Sequence, residues 1–327
     1  MQEKFFSGLK TAVELLLQVF EKLGLRQSYV MPVLTHDLSG LETAVEILFR
    51  EFRRRGFKQS CIALLLAHEY HRDQFRICGE PYLWHPIRMV QLALMFPAGI
   101  TDDIIATMLL HDVIEEAYQK DRLNGDDSEA LLDRISYVKM IARSLPTNSS
   151  IRESVMLLTT LPASNETPEQ KAERKEDYFA NIGTRLESIV TKLFDRIDNL
   201  LDAPGNLSRE AIIKNLIETD RLLIPAARRA EKKYPDEAEL IRSIRTILKC
   251  LICVLAPIYG VKLNRDYYPS PNKLNKGTLG RYINKRLIAT NCRKLSREIL
   301  AVLARRMDEA VNAARKQCES QHPHQEQ

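Results

Sequence analysis

Apolar residues recur at helical spacing along most of this 327-residue chain, and no stretch keeps the alternation of a strand. Leu, Ile and Ala dominate these runs, and glycine occurs only 12 times. The pattern predicts an all-α fold. Helices are expected at residues 5–23, 41–55, 61–72, 86–96, 102–118, 151–160, 175–182, 185–202, 208–233, from Pro235 to 255, and 281–317. Loops are expected at residues 121–127, 161–173 and 267–280.

The composition, with 45% hydrophobic and 28% charged residues, is typical of a globular protein that buries a core. The most apolar window, residues 250–261, is too short for a membrane span, and the N-terminal pattern is not that of a secretory signal. Six cysteines stand at irregular spacing, so Cys250-x-x-Cys253 is expected to pack in a core rather than bind zinc. We expect a reduced, cytoplasmic protein with no membrane segment.

Positive charge is concentrated near the C-terminus, where residues 262–316 hold 14 Lys and Arg against 4 Asp and Glu. A basic segment suits an anionic partner such as a phosphorylated ligand, RNA or an acidic protein surface. Tyr267 and Tyr268 lie among these cations and would suit stacking on RNA bases. A solvated helical face followed by a loop would explain the same charge, and the sequence leaves both explanations open. It also leaves open whether the protein forms an oligomer.

Two histidines and two carboxylates stand out against the helical pattern: His85, the pair His111-Asp112, and Asp195. Imidazole and carboxylate together suit a divalent metal without any cysteine. His85 follows a turn at Gly79 and Pro81 and precedes a proline, which favours a helix start. A lone histidine more often has a structural role, but the presence of His111-Asp112 in the same chain favours a metal-ligand role for His85.

The predicted helix at residues 102–118 places carboxylates in an apolar face. Asp112 and Glu116 fall within that face, and Glu115 lies at its flank. Burying a carboxylate in an apolar core costs free energy unless it is paired or binds a metal. On the predicted helix at 185–202, Asp195 lies opposite the apolar stripe, and periodicity alone predicts a solvated face there. His68 and His71 are interpreted as packing or supporting residues.

Three segments together carry a resemblance to a known family. They are His71-x-x-Gln74-x-Arg76-x-x-Gly79-Glu80-Pro81-Tyr82-x-x-His85-Pro86, Leu110-His111-Asp112-Val113-x-Glu115-Glu116, and Lys192-Leu193-x-Asp195-Arg196-x-x-Asn199. This order resembles the HD-domain (p)ppGpp hydrolases of the RelA/SpoT type over residues 61–230. The resemblance implies an HD-domain helical bundle, with domains at residues 1–57 (N-terminal helices), 58–232 (metal-dependent phosphohydrolase) and 233–327 (basic helical extension).

The resemblance also implies roles for particular residues. His85, His111, Asp112 and Asp195 would hold one Mn²⁺, and Glu115 and Glu116 would position or activate the attacking water. Arg76 would stack on the guanine base, Asn199 would contact the nucleotide and Arg196 would brace the site. The implied reaction of this stringent-response family removes the 3′-pyrophosphate of the alarmone ppGpp or pppGpp. No synthetase pattern follows, so the chain is expected only to degrade it.

Some positions depart from the family pattern. Ile77 and Cys78 stand where a Lys and a Ser are usual, Glu116 replaces an Asp, and Leu201-Asp202 replaces Arg-Thr. The metal ligands are intact, whereas the nucleotide contacts are altered. Two alternatives therefore stay open: an HD phosphohydrolase for another nucleotide, such as an adenine alarmone, and a non-catalytic regulator that binds nucleotide or RNA.

Overall fold

The computed structural model describes residues 38–96, 98–123, 134–161, 166–263 and 297–321, which are helical and include no strand. The all-α prediction is confirmed. The α-helices in chain order are α1 (Leu38–Arg55), α2 (Lys58–Tyr70), α3 (Trp84–Leu94), α4 (Asp102–Leu110), α5 (Val113–Leu123), α6 (Arg134–Ser144), α7 (Ser149–Leu158), α8 (Pro168–Asn181), α9 (Leu186–Asn206), α10 (Arg209–Glu218), α11 (Ile224–Lys233), α12 (Ala238–Leu255) and α13 (Arg297–Gln321). The predicted helix at 5–23 and the predicted loop at 267–280 lie outside the described residues.

Short polar side chains mark several helix starts. The side chains of Thr101, Asn148, Thr167 and Ser208 each accept a hydrogen bond from a backbone N–H in the first turn of α4, α7, α8 and α10. Thr167 and Gln170 form a reciprocal capping box, and Pro168 occupies the first helical position. Helix α8 therefore begins at Pro168, and the predicted loop at residues 161–173 is too long. The predicted loop at 121–127 is also wrong at its start, because α5 runs to Leu123.

The predicted single helix at residues 102–118 is broken at His111 and Asp112, between α4 and α5. Consecutive residues of an uninterrupted helix point about 100° apart. Across the break, the Nε2 atom of His111 lies 3.0 Å from an oxygen of Asp112. The break therefore directs both side chains toward the same place. It contains neither glycine nor proline, so no helix-breaking residue predicts it.

Contacts divide the described residues into two compact units. The first contains the described residues up to Gln74, then Pro81–Gln91 and the described part of Thr101–Glu166. The second contains Phe75–Glu80, the described part of Leu92–Ile100 and the described residues from Thr167 onward. The three domains with boundaries at residues 57 and 232 stay a prediction.

In the first unit, a carboxylate joins the starts of two helices. Helix α2 packs against α4, and the side chain of Asp102 accepts hydrogen bonds from the backbone N–H groups of Gln59 (2.9 Å) and Ser60 (2.7 Å). Asp102 thereby caps α2 from the first residue of α4. This contact sets the position of α4, which ends at the His111-Asp112 break.

In the second unit, helix α9 packs against α12 and the C-terminal helix α13. The α13 side chains of Leu303 and Met307 are buried, and Arg306 makes a 2.7 Å ion pair with Asp198 of α9. Both charged side chains of this pair are almost fully buried. The C-terminal helix therefore packs on the helix that carries Asp195 and Asn199.

No helix within the described ranges combines the length and apolarity that a bilayer crossing requires. The cysteines that fall within those ranges are free thiols, and Cys250 and Cys253 are buried, as expected for core side chains.

Candidate metal centre

His85 is held at the start of α3 by a compact turn. The backbone N–H of Tyr82 donates to the Gln74 carbonyl at 2.8 Å, and the His85 N–H donates to the Tyr82 carbonyl at 2.9 Å. Helix α3 begins at Trp84, so Pro86 is its third residue, where its missing N–H sacrifices no bond within the helix. The His85 side chain is only 1% exposed.

His85, His111 and Asp112 form a group that could hold a metal ion, with one ligand atom of each within 4.8 Å of the others. The two imidazole rings have centroids 5.2 Å apart. The three residues belong to the first unit, and the two histidines are buried. Two neutral imidazoles and one carboxylate suit a divalent cation.

The tautomer of His111 fits a ligand role. Its Nδ1 lies 2.8 Å from the carbonyl oxygen of Met108, which can only accept, so Nδ1 carries the hydrogen. In the neutral form of the imidazole the lone pair then lies on Nε2, the atom beside the Asp112 carboxylate. A backbone carbonyl on the far nitrogen is a common way to orient a metal-binding histidine. The donor set and this tautomer together fit a bound cation.

Tyr82 supports the group from the side. Its hydroxyl donates to the Asp112 carboxylate, and its ring packs against His71 at 4.8 Å and His85 at 5.7 Å between centroids. Tyr82 lies within the His71–Pro86 motif, but the sequence alone predicts no role for it. Its position three residues before His85, in the same turn, is the signal that would have indicated one.

Glu116 is 8% exposed and accepts a 2.6 Å hydrogen bond from the side-chain amide of Gln74. The oxygen of the same amide accepts from Nδ1 of His71 at 2.6 Å. His71, Gln74 and Glu116 thus form one chain of hydrogen bonds. The sequence alone predicts no role for Gln74 and a packing or supporting role for His71.

His71 remains neutral over most of the physiological range. Its side chain is buried, and burial lowers its pKa to about 4, against the partial opposition of the Gln74 hydrogen bond. A neutral His71 suits the observed contact, because its Nδ1 hydrogen is directed at the side-chain oxygen of Gln74.

Glu115 contacts a different element from Glu116. Its carboxylate accepts hydrogen bonds from the backbone N–H (2.6 Å) and the hydroxyl (3.1 Å) of Thr160, just beyond the end of α7. The two adjacent glutamates therefore have different surroundings. The role expected for Glu115 in handling the attacking water stays a prediction.

The remaining expected site residues belong to the second unit. Asp195 is 3% exposed, lies 2.7 Å from the ammonium of Lys192 and accepts a hydrogen bond from the side-chain amide of Asn199. The solvated face that periodicity predicts for α9 is therefore wrong, because Lys192 compensates Asp195 and Arg306 compensates Asp198. Asp195 as a fourth metal ligand stays a prediction.

Charges are also compensated around Lys192 and Arg196. Burial opposes the charged form of Lys192, but the Asp195 carboxylate and Tyr178 outweigh it, so the pKa of Lys192 is raised. Arg196 donates to the side-chain oxygen of Asn215 on α10 at 2.8 Å. The bracing role expected for Arg196 stays a prediction.

Arg76 and Asn199 are in contact within the second unit. A terminal nitrogen of Arg76 donates to the side-chain oxygen of Asn199 at 3.1 Å, and the other donates to the carboxylate of Asp202. In the sequence, Asp202 stands out only as a departure from a family pattern, and the structure shows it as a partner of Arg76.

Comparison with known proteins gives one partial similarity. The chain is 30% identical over 163 residues, or 49% of its length, to a protein of Synechocystis sp. described as a probable guanosine-3′,5′-bis(diphosphate) 3′-pyrophosphohydrolase. The matched region covers 19% of that relative, so the chain spans about a fifth of its length. No family model matches the chain, and no solved structure matches it. The similarity supports a relationship to a hydrolase.

Proposed function

We propose that this chain is a Mn²⁺-dependent (p)ppGpp 3′-pyrophosphohydrolase that releases GDP or GTP and pyrophosphate and has no synthetase activity. The observation that carries the proposal is the group of His85, His111 and Asp112, in which the Met108 carbonyl leaves His111 Nε2 as the basic nitrogen. The partial similarity to a probable pyrophosphohydrolase supports the same reaction.

The proposed cation would be held by these three residues, with Asp195 as the proposed fourth ligand. When bound, a divalent ion supplies a water of lowered pKa and polarises a phosphoryl oxygen. A nitrogen and oxygen ligand set without thiolate suits Mn²⁺. Dialysis against Mn²⁺, Zn²⁺ and Mg²⁺, followed by activity measurements, tests the choice of metal.

Glu116 is the proposed general base. The Gln74 amide donates a hydrogen bond to its carboxylate, which stabilises the ionised form. In the proposed role, Glu116 takes a proton from the water that attacks the 3′ phosphorus. The bond from that phosphorus to the 3′ oxygen breaks, and the 3′ oxygen takes up a proton as pyrophosphate is released. Glu115 is proposed to position that water.

The proposed nucleotide contacts are Arg76 stacking on the base and Asn199 bonding to the nucleotide, with Arg196 bracing α9 against α10. Arg196 donates to both the backbone and the side-chain oxygen of Asn215, which supports the bracing role. Asn199 bonds to Arg76 and Asp195, which supports a shared role for the three.

The direct test is incubation of the protein with ppGpp and Mn²⁺ and separation of the products by anion exchange. We expect equimolar GDP and pyrophosphate, with none from the Asp112→Ala variant. Absence of pyrophosphate with manganese-loaded wild-type protein would contradict the proposal.

A phosphohydrolase for another nucleotide is the second candidate, and the Arg76–Asp202 ion pair favours it because it alters the surroundings of the proposed base contact. Parallel assays of ppGpp, its adenine counterpart and linear dinucleotides separate the two. Faster turnover of an adenine substrate would establish the second candidate.

We also propose that the basic segment at residues 262–316 binds a protein or RNA partner. A cytoplasmic location of the protein is a separate proposal. The structure describes only part of this segment, in which Arg306 pairs with Asp198. RNA binding that weakens steeply with salt would support an RNA partner, and binding that ignores salt would contradict it.

A further inference from the structure

Gln74 lies just beyond the end of α2, and both polar groups of its backbone are bonded. Its N–H donates to the carbonyl of His71 at 3.1 Å, and its carbonyl accepts the N–H of Tyr82 at 2.8 Å. Both partners belong to the same unit as Gln74. The backbone is therefore held in place, and the orientation of the Gln74 side chain depends on what its amide contacts.

The side chain of Gln74 connects two buried residues that are distant in the sequence. Its amide nitrogen donates to the Glu116 carboxylate at 2.6 Å, and its oxygen accepts from Nδ1 of His71, also at 2.6 Å. His71 is 2% exposed and Glu116 is 8% exposed. A hydrogen bond to a carboxylate is stronger where water is largely excluded. The three side chains therefore form a short, buried path from imidazole to carboxylate.

The directions of these two hydrogen bonds depend on each other. An ionised carboxylate can only accept, so the Gln74 amide presents its nitrogen to Glu116 and its oxygen to His71. That oxygen requires a hydrogen on Nδ1 of His71. A neutral His71 with its hydrogen on Nε2 would turn the amide around and place its oxygen against Glu116, where only a protonated carboxyl could donate to it. The Nδ1 tautomer of His71 thus accompanies the ionised form of Glu116.

The candidate metal group is contacted by a different residue of the same turn. The hydroxyl of Tyr82 donates to the carboxylate of Asp112. The side-chain amide of Gln74 bonds instead to His71 and Glu116, and neither of these is a member of the metal group. Removing the Gln74 amide should therefore disturb the proposed base and leave the metal group in place.

We propose that Gln74 is a positioning residue for proton transfer, and that the Nδ1 tautomer of His71 fixes its amide so that Glu116 is held as the proton acceptor. This inference rests on the general-base role of Glu116 in the proposed function. Gln74 acts through Glu116, and His71 acts through Gln74.

A double-mutant cycle of Gln74→Met and Glu116→Gln tests the proposal, with ppGpp hydrolysis measured in manganese-saturated protein. Methionine keeps the length of the side chain but has no N–H to donate. Because a hydrogen bond to a charged group is lost, Gln74→Met should lower kcat about tenfold and change KM less than about twofold. In the Glu116→Gln background, the same substitution should change kcat less than about twofold. Manganese content should be unchanged throughout.

Gln59→Met is the matched control for the loss of a side-chain amide. The oxygen of Gln59 accepts the backbone N–H of Asn148 at 3.1 Å, at the start of α7 in the same unit. This contact is not linked to Glu116, so Gln59→Met should keep the wild-type kcat.

A second measurement does not depend on activity. Nitrogen-15 NMR of the wild-type histidine rings at neutral pH distinguishes the two neutral tautomers. We expect the hydrogen of His71 on Nδ1, and loss of this preference in Gln74→Met because the acceptor is gone. A wild-type His71 with its hydrogen on Nε2 would overturn the inference.

The kinetic outcomes separate failure of the inference from failure of the proposed function. If wild type hydrolyses ppGpp but Gln74→Met keeps full kcat, or lowers kcat equally in both backgrounds, the inference alone fails. If manganese-loaded wild type releases no pyrophosphate, the proposed function fails, and the positioning role fails with it.

Discussion

The side-chain amide of Gln74 donates a 2.6 Å hydrogen bond to the carboxylate of Glu116, across 42 residues of sequence. The same amide accepts from His71, so its two ends are both committed and its orientation is fixed. Glu116 is therefore linked through Gln74 to His71, whose ring packs against Tyr82 beside the candidate metal group.

Replacing Glu116 by glutamine should slow hydrolysis without emptying the metal site. An amide cannot accept the proton of the attacking water, and losing a general base costs about 10²–10⁴-fold in rate. Single-turnover kinetics with manganese-saturated protein measure this effect. Glu69→Gln is a suitable control, because Glu69 pairs locally with Arg72 on the surface. Normal turnover by the Glu116 variant would show that another group takes the proton.

Stability should fall on acidification because of His71. Its pKa is lowered from 6.5 to about 4 on folding, so the unfolded chain binds the proton more tightly than the folded chain does. The contribution of neutral His71 to the free energy of unfolding is fully present above about pH 6.5. It declines as the pH falls and stops changing below about pH 4. Urea titrations at several pH values measure this effect. Across this window, the free energy of unfolding of wild type should fall by about 3 kcal/mol more than that of His71→Gln. Parallel pH profiles for the two proteins would contradict the burial of a neutral imidazole.

The buried ion pair of Asp198 and Arg306 should be important for stability. Asp198→Ala leaves the Arg306 charge buried without this partner, which costs about 3–5 kcal/mol, whereas the double variant Asp198→Leu/Arg306→Met should recover most of the loss. Chemical denaturation at neutral pH measures both. Arg305→Met is the matched control, because Arg305 is half exposed on the same helix. A loss below about 1 kcal/mol in Asp198→Ala would indicate that α13 packs on α9 without this pair.

Much of the fold was accessible from sequence because helical periodicity and capping residues are local signals. The all-α class, the start of α9 and the end of α12 follow from such patterns. Local patterns did not reveal the break at His111, because nothing in its neighbours interrupts a helix. They also mispredicted the face of α9 that carries Asp195 and Asp198, since Asp198 is buried against Arg306, 108 residues away.

The candidate site was only partly accessible for the same reason. Residue type and the family resemblance grouped His85, His111, Asp112 and Asp195 as predicted ligands. The structure places ligand atoms of the first three within 4.8 Å of one another, and Asp195 as a ligand stays a prediction. The supporting contacts of Tyr82 and Gln74 link different elements, so no single helix pattern contains them. Arg76 and Asp202 are 126 residues apart in the sequence, so their pairing is visible only in the folded structure.

The central claim is that His85, His111 and Asp112 hold one divalent cation on which hydrolysis depends. The most direct measurement is manganese content after equilibrium dialysis, determined by mass spectrometry alongside pyrophosphate release from ppGpp. We predict about one Mn²⁺ per wild-type chain and per Glu116→Gln chain, and no retained metal or activity in His85→Ala, His111→Ala or Asp112→Ala. Retention of manganese by folded Asp112→Ala, or hydrolysis by metal-free wild type, would contradict the account.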